Sequence, residues 1–407
     1  MKILQLCKKF PFPLKDGESI AVTYLSKAMV NRGADITLLA MNTTKHYTSI
    51  ESLPKEFNHY ESIHTVDLDN SIKPIEAFKN LFSKDSFHVK RFVSDRFKDK
   101  LIEILKAETF DVVQLETLYL APYISTIKEH SDAIITMRAH NVEFEIWERI
   151  TENTKFLPKK WYLGHLTQKL KKFELENLNS YDYLISVSER DLKLFKKLGY
   201  KNGAMASPIG LDLNNYKALQ TQELGISFIG ALDWMPNLEG LEWFLQKVWP
   251  ILSQRLPNVK FHIAGRNTPD YIKNLNVKNV EVHGEVPDAI KFIDRYPVMV
   301  VPLFSGSGMR VKILEGMALS KIIISTTLGA EGIGVRDQEE ILIADEADTF
   351  CDKIVDAFEL YQDDNKLGKR AYEFVLNYYD HDVLAEKLLA KYQNLIDNPY
   401  PKELTVV

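Results

Sequence analysis

The sequence predicts an α/β protein of two parallel-sheet domains in tandem, and three observations predict it. First, 407 residues exceed the usual span of one domain. Second, hydrophobic residues at 45% and charged residues at 26% are ordinary globular values, with 21 Phe, 18 Tyr and 5 Trp to fill cores. Third, short continuous apolar runs alternate with helical periodicity twice along the chain, the pattern of strands buried on both faces. Lys2–Leu6, Ile36–Met41, Val112–Glu116, Ile134–Arg138 and Tyr183–Val187 read as strands of the first series. Ala21–Arg32 is a helix between two of them, with Leu25, Met29 and Val30 on one side. The second series is Ile226–Ile229, Lys260–Ala264, Val280–His283, Val298–Leu303, Lys321–Thr326 and Glu340–Ala344. Its helices are Leu238–Leu252, Ala289–Asp294, Arg310–Leu319 and Ala347–Tyr361.

The expected boundaries follow. Residues 1–206 form an N-terminal Rossmann-like domain, 207–225 a Pro- and Gly-containing linker, and 226–379 a C-terminal Rossmann-like domain. A last helix, Tyr378–Ile396, carries Leu384, Leu388, Leu389, Tyr392 and Leu395 on one face, and residues 380–407 are expected to pack back on the first domain. Open parallel sheets take ligands at the carboxyl ends of their strands, so two such sheets are expected to face a cleft between the domains.

Charge and cysteine content exclude several classes. Residues 1–205 hold 31 Lys and Arg against 27 Asp and Glu, a formal +4, whereas residues 206–407 hold 20 against 29, a formal −9. No basic stripe suits a duplex, so no nucleic-acid partner is expected. Cys7 and Cys351 are too few for a disulfide framework or a cysteine zinc site. The first 13 residues lack a signal-peptide core and no run reaches the roughly 18 apolar residues of a spanning helix, so a soluble cytoplasmic protein is expected. Asp67-Leu68-Asp69 has the D-x-D form of some metal sites, but nothing around it suggests a cage, and no metal is expected. The Gly230–Asn237 turn is not a G-x-G-x-x-G fingerprint, which removes the main support for a dehydrogenase.

The strongest local signal is Val298–Ala318. A buried strand runs into Ser305-Gly306-Ser307-Gly308 and then into a helix. Glycines allow close backbone approach, and a helix start offers unpaired N–H groups to an anion. Arg310 in the first turn and Lys312 supply two cations for a diphosphate, and Glu315 one turn on can accept from ribose hydroxyls; a solvent-facing Lys312–Glu315 pair is the competing reading. Val311, Leu314 and Ala318 are expected to form the apolar face, with Ile313 and Met317 beside it.

The string G-S-G-x-R-x-K-x-L-E-x-M-A at Gly306–Ala318 resembles the donor-site signature of the retaining glycosyltransferases of family 4, which have the GT-B fold. Further matches keep the family's order: Arg138-Ala139-His140-Asn141-Val142-Glu143 resembles the R-x-H-N-x-E segment of one branch, followed by Ser186–Glu189, Ile209–Asp212, Phe228–Gly230, Phe261–Arg266, His283–Val286 and Thr327–Gly332. The resemblance implies transfer of a sugar from a nucleotide-diphosphate sugar to a hydroxyl acceptor of a glycan or lipid-linked kind, with retention and with neither cofactor nor metal. It implies that His140, Arg310, Lys312 and Glu315 are catalytic, and that Gly17, Gly306, Ser307, Gly308, Arg266, Asn237 and Glu331 contact substrate. His140 is expected over the donor sugar. Closure of the domains is expected to gain from orientation and exclusion of water.

Two departures stand out. Ser307 replaces the first of the family's usual glutamate pair, and Ala231 replaces a usual Arg, so Arg310 and Lys312 are expected to supply the missing charge. Asn237 is read either as the N-cap of a helix from Leu238 or as a phosphate ligand, Arg266 as a nucleotide contact or a surface ion pair, and Arg138 as facing the cleft or paired with Glu143 or Glu145. The basic stretches Lys155–Lys172 and Lys84–Lys100 are either solvated faces or docking surfaces for anionic lipid, with peripheral contact at the inner membrane face. A sugar-nucleotide epimerase, which needs no acceptor, and a non-catalytic nucleotide-sugar-binding subunit are the alternatives from other classes.

Overall fold

The computed structural model describes residues 1–14, 17–54, 57–71, 80–81, 83, 85–218, 223–306 and 309–398. The chain divides into two compact units, Met1–Gly210 with Leu384–Val407, and Leu211–Val383.

In the N-terminal unit the strands are β1 (Lys2–Cys7), β2 (Asp35–Thr43), β3 (Ser62–Leu68), β4 (Val112–Leu115), β5 (Ile134–Ala139), β6 (Tyr183–Ser186) and β7 (Gly203–Ala206). They form one parallel sheet in the order β3-β2-β1-β4-β5-β6-β7. The C-terminal unit repeats the plan with β8 (Gly225–Ile229), β9 (Lys260–Ala264), β10 (Val280–Gly284), β11 (Val298–Val301), β12 (Ile322–Ser325) and β13 (Leu342–Ile343), ordered β10-β9-β8-β11-β12-β13. In each sheet the chain builds outward from one central strand and then returns to its other side. The reversal lies between β1 and β4 and between β8 and β11, and the loops at the carboxyl ends of these strands diverge there.

The central strands are continuous apolar runs because helices cover both faces; Ile3, Leu4, Leu6, Val113, Ile226, Phe228, Val300 and Ile324 are all buried. Strands β3 and β7 break that rule and escape the apolar-run reading. They sit at sheet edges, where partial burial lets polar residues such as His64 and Thr65 alternate with Ile63 and Val66.

The helix expected over Leu238–Leu252 starts earlier and is interrupted. Met235–Trp243 is α-helical with Pro236 in its first turn, Phe244–Val248 forms a π-helical turn, and Trp249–Arg255 resumes the α-helix. Pro250 lacks the N–H an unbroken helix needs, so the ladder widens just before it. Asn237 therefore lies inside the first turn and is not its N-cap, which is Trp234.

The helix His381–Asp397 lays Ala385, Leu388, Tyr392 and Leu395 into the core formed by β1, β2 and Gly17–Asn31. Tyr392 also donates its hydroxyl to Gln114 Oε1 at 2.6 Å and lies 3.3 Å from the Thr136 hydroxyl. Cys7 and Cys351 are free and buried. Among the described residues no helix is long and apolar enough to cross a membrane.

Candidate active-site groups in the two units

In the C-terminal unit the loop after β11 leads into the helix Val311–Ala318. Gly306 has φ +95°, and a Cβ there would press on the Trp234 ring at 2.9 Å, so the turn requires glycine. Ser307 and Gly308 lie outside the described residues. Arg310 is the N-cap residue, one position earlier than the first turn expected for it. Its side chain folds inward: the residue is 5% exposed, Nε and Nη2 have no hydrogen-bond partner among the described residues, and the guanidinium sits 5.9 Å from the Trp234 ring centre. Burial pulls its pKa down, while the Glu331 charge opposes that.

Lys312 is not the solvent-facing partner of Glu315. Its ammonium donates to the Ile229 carbonyl and to Asn237 Oδ1, each at 2.8 Å. Burial first, and then the Arg310 charge, lower its pKa to about 7, with Glu315 acting the other way. An ammonium has three N–H donors, so one is left for a ligand. Asn237 completes the clasp by donating to the Ala231 carbonyl at 2.9 Å. Gly230 makes room for this clasp, and Gly240 lets the helix Met235–Trp243 approach the Pro302 backbone. A Cβ on Gly230 would come within 2.6 Å of Asn237 Nδ2 and 2.9 Å of Lys312 Nζ, and one on Gly240 would run into the Pro302 carbonyl.

Glu315 accepts from the Tyr216 hydroxyl at 3.3 Å, and burial raises its pKa. Among the described residues no ion pair joins it to Lys312. The apolar face of this helix is Ile313, Leu314, Met317 and Ala318; Val311, expected to share it, is 38% exposed. Arg266 is exposed and joins no ion pair among the described residues, and its carbonyl accepts from Leu232 N–H at 2.9 Å. Glu331 is exposed and acts on Arg310 through its charge.

In the N-terminal unit His140 follows β5, and its Nε2 lies 3.1 Å from Glu116 Oε2, just past β4. Among the described residues no hydrogen bond is made at Nδ1, so that ring nitrogen is left for a ligand. Arg138 pairs with the same Glu116 oxygen at 3.3 Å and donates to the Ala21 carbonyl at 3.3 Å. It pairs with neither Glu143 nor Glu145, because its strand position turns it inward. Glu116 is fully buried and its other oxygen accepts from Gln5 at 2.6 Å and Gln114 at 2.5 Å. Burial alone would raise its pKa; the Arg138 charge, the His140 hydrogen bond and charge, and the Gln5 hydrogen bond overcome that and hold it at about 2.

The segment after His140 is pinned from a distance. Glu174, on the helix Leu157–Glu176, accepts from the backbone N–H groups of Glu143 and Phe144 at 3.1 and 3.0 Å, capping the helix Glu143–Glu152. Gly17 begins the first helix, exposed, with open space where a Cβ would stand. A cavity of about 510 Å³ in this unit is lined by Lys8, Lys9 and Arg91 with one carboxylate, Glu18, which pairs with Lys8 at 3.3 Å and Lys9 at 3.7 Å. Asp69 of the D-x-D string accepts from Ser71 N–H at 3.0 Å in a local turn.

Sequence reasoning missed Glu116, Tyr216 and Glu174. Glu116 had a signal, a carboxylate closing an otherwise apolar strand run at its carboxyl end. Tyr216, in a segment read as linker, and Glu174, in a basic helix, had none.

Comparison with known proteins agrees with this layout. Residues 223–359 match the family described as glycosyl transferases group 1. An uncharacterized 44.6 kDa protein in the cps region of Klebsiella pneumoniae is 21% identical over 402 residues, 93% of this chain and 96% of that one. The crystal structure of Anabaena HepE in complex with UDP is similar at TM-score 0.63 and 14% identity, covering 97% of this chain and all of that one. Sucrose-phosphate synthase from Thermosynechococcus elongatus is similar at TM-score 0.61 and 14% identity, covering 98% and 100%. The likeness shows the fold, two parallel-sheet α/β units of the GT-B kind, and the family match in the C-terminal unit supports a glycosyltransferase.

Proposed function

We propose that this protein is a retaining glycosyltransferase of the family 4 type, moving a sugar from a nucleoside-diphosphate sugar to a hydroxyl acceptor in glycan or polysaccharide assembly. The observation that carries the reading is the pair Arg310 and Lys312: two buried basic side chains, donors to spare, at the N-terminus of one helix. Such a pair is costly to bury without an anion. The same helix lies within the span matching glycosyl transferases group 1, and HepE has been crystallised with UDP and with UDP-glucose. The relative from a cps region favours a polysaccharide product.

In this reading the diphosphate leaves as Arg310, the third N–H of Lys312 and the helix N–H groups meet its growing charge, preorganised donors worth roughly 2.7–4 kcal/mol each in comparable sites. Gly306 supplies close backbone approach, Glu315 accepts from the ribose, and Asn237 acts by holding Lys312. His140, aimed by Glu116, presents Nδ1 to the hydroxyls of the transferred sugar. Glu116 is not a nucleophile, since it is fully buried and both of its oxygens are engaged. The transfer uses no cofactor and no metal. The cationic cavity at Lys8, Lys9 and Arg91 favours an acceptor carrying negative charge.

Binding of UDP, GDP, ADP, TDP and CDP, followed by the matching sugars, tests the reading: one base is expected to bind at least tenfold tighter than the rest. Lys312 adds a signature. Its pKa near 7 must rise when an anion arrives, so binding takes up a proton. At pH 8, where the terminal phosphate is already ionised, calorimetry in buffers of different ionisation enthalpy is expected to show uptake approaching one proton. The uptake is expected to vanish in Lys312→Met. Binding of no nucleotide, or binding without uptake, counts against the site.

Membrane contact is part of the proposal. Within the basic stretch Lys155–Lys172, Lys169 donates to the Asn80 carbonyl, Lys171 pairs with Glu148 and Lys172 with Glu176. The unpaired end carries Lys155 and Lys159 beside Phe156, Leu157 and Trp161, which are 67%, 76% and 68% exposed. Apolar tips among cations suit an anionic bilayer surface. Co-sedimentation with anionic vesicles is expected to fall about tenfold or more in Leu157→Ser/Trp161→Ser. Equal sedimentation with neutral and anionic lipid would refute the contact.

A further inference from the structure

We propose that His262, Glu281 and His283 form a binding site for one divalent transition-metal ion of the zinc class at the edge of the C-terminal sheet. The ligands come from neighbouring strands. Parallel register sets Glu281 of β10 opposite His262 of β9, and residues two apart on a strand share a face, so Glu281 and His283 project together beside His262. Strand β10 is the sheet's edge, and its pairing slips between Val282 and Gly284, at His283 itself.

The candidate ligand atoms all lie within 4.8 Å of one another. His262 Nδ1 is 3.1 Å from His283 Nε2 and 3.4 Å from Glu281 Oε2. Zinc held tetrahedrally at roughly 2.0–2.2 Å from nitrogen and oxygen separates its ligand atoms by about 3.3–3.5 Å. Two edges of the coordination polyhedron are therefore close to their final length already. Two imidazoles and one carboxylate suit zinc or a neighbouring transition ion better than calcium or magnesium, which take oxygen. Three protein ligands leave the fourth position to solvent, on the side where His283 is exposed.

The surroundings hold these atoms in place. The buried His262 ring stacks on Tyr296, centres 4.1 Å apart and planes 15° apart, and a Cβ on Gly225 would crowd both rings. Lys260 holds Glu281 Oε1 at 2.7 Å, which steers Oε2 toward His262 while adding a nearby positive charge that the ion must tolerate. Burial lowers the pKa of both imidazoles, that of His262 to about 4. One ring donates in the bond between the two histidines. Loading the ion moves that ring's proton to its other nitrogen and frees the lone pair. The site shares no residue with the Arg310, Lys312 and Glu315 group.

The full chain, free of any histidine tag and stripped with chelator, tests this by zinc titration calorimetry and by visible absorption on adding cobalt. One equivalent of zinc is expected to bind saturably, and cobalt to give the absorption of a tetrahedral site. His283→Ala and Glu281→Gln, both at solvent-accessible positions, are expected to weaken each signal at least about tenfold while circular dichroism and nucleotide binding stay unchanged. Absence of a one-equivalent transition, or equal binding by the double variant His283→Ala/Glu281→Gln, would overturn the site.

Discussion

Arg310→Met is expected to make the protein harder to unfold and at the same time poor at holding its donor. Most core substitutions destabilise. Here the native side chain is the liability, since it buries a cation whose Nε and Nη2 find no acceptor among the described residues. An unsatisfied buried donor costs about 1–3 kcal/mol, and methionine fills much of the same space against Trp234 without that penalty. Stability is expected to rise by about 1–3 kcal/mol, read as a shift in denaturant midpoint at unchanged slope. Truncating one partner of a buried charge pair costs about 2–5 kcal/mol of binding, so affinity for the preferred nucleoside diphosphate is expected to fall by about 30-fold or more. A variant that is both less stable and equally tight would show that Arg310 is structural. The trade is the usual mark of a group kept for its ligand.

Glu116→Gln is expected to do the reverse, damaging fold and chemistry together. The carboxylate balances Arg138 and orients His140, and removing one partner of a buried pair costs about 3–5 kcal/mol. Its pH signature has a definite sign. With a folded pKa of about 2 against the ordinary 4.5, the ionised group contributes on the order of 3 kcal/mol, all of it present above pH 4.5. That contribution is lost as pH falls from 4.5 toward 2, where the folded and unfolded states bind the same proton. The stability gap between Glu116→Gln and the parent is therefore expected to be largest at neutral pH and to close on acidification. A gap unchanged between pH 7 and pH 3 would mean that the charge of Glu116 is not what Arg138 requires. Sugar transfer is expected to fall with little change in nucleotide affinity, since the nucleotide groups belong to the other unit.

The two sheets were legible because burial on both faces writes continuous apolar runs into the central strands. Strands β3 and β7 were not, since an edge strand buried on one side mixes His64 and Thr65 with apolar neighbours, or shrinks to four residues, three of them Gly or Ala. At the candidate site, glycine spacing and the order of motifs pointed to residues 306–315. They did not show that Lys312 turns away from Glu315 to clasp Asn237, or that Arg138 chooses Glu116. Those pairings join residues 75 and 22 positions apart, and only the sheet order brings them together. The N-cap reading of Asn237 fails because Pro236 suits the second helical position as well as it suits a turn, which moves the helix start back to Met235.

The hydroxyl of Tyr392 reaches Gln114, which reaches Glu116, which holds His140. During translation the first unit emerges complete but for this one prop. More than 170 further residues must follow before the helix that carries it leaves the ribosome. Until then the nascent lobe lacks the side chains of Ala385, Leu388, Tyr392 and Leu395 that complete the core beside its first two strands. Maturation of the lobe made first thus waits on the lobe made second, and a ribosome stalled anywhere in between yields a chain with an incomplete early half.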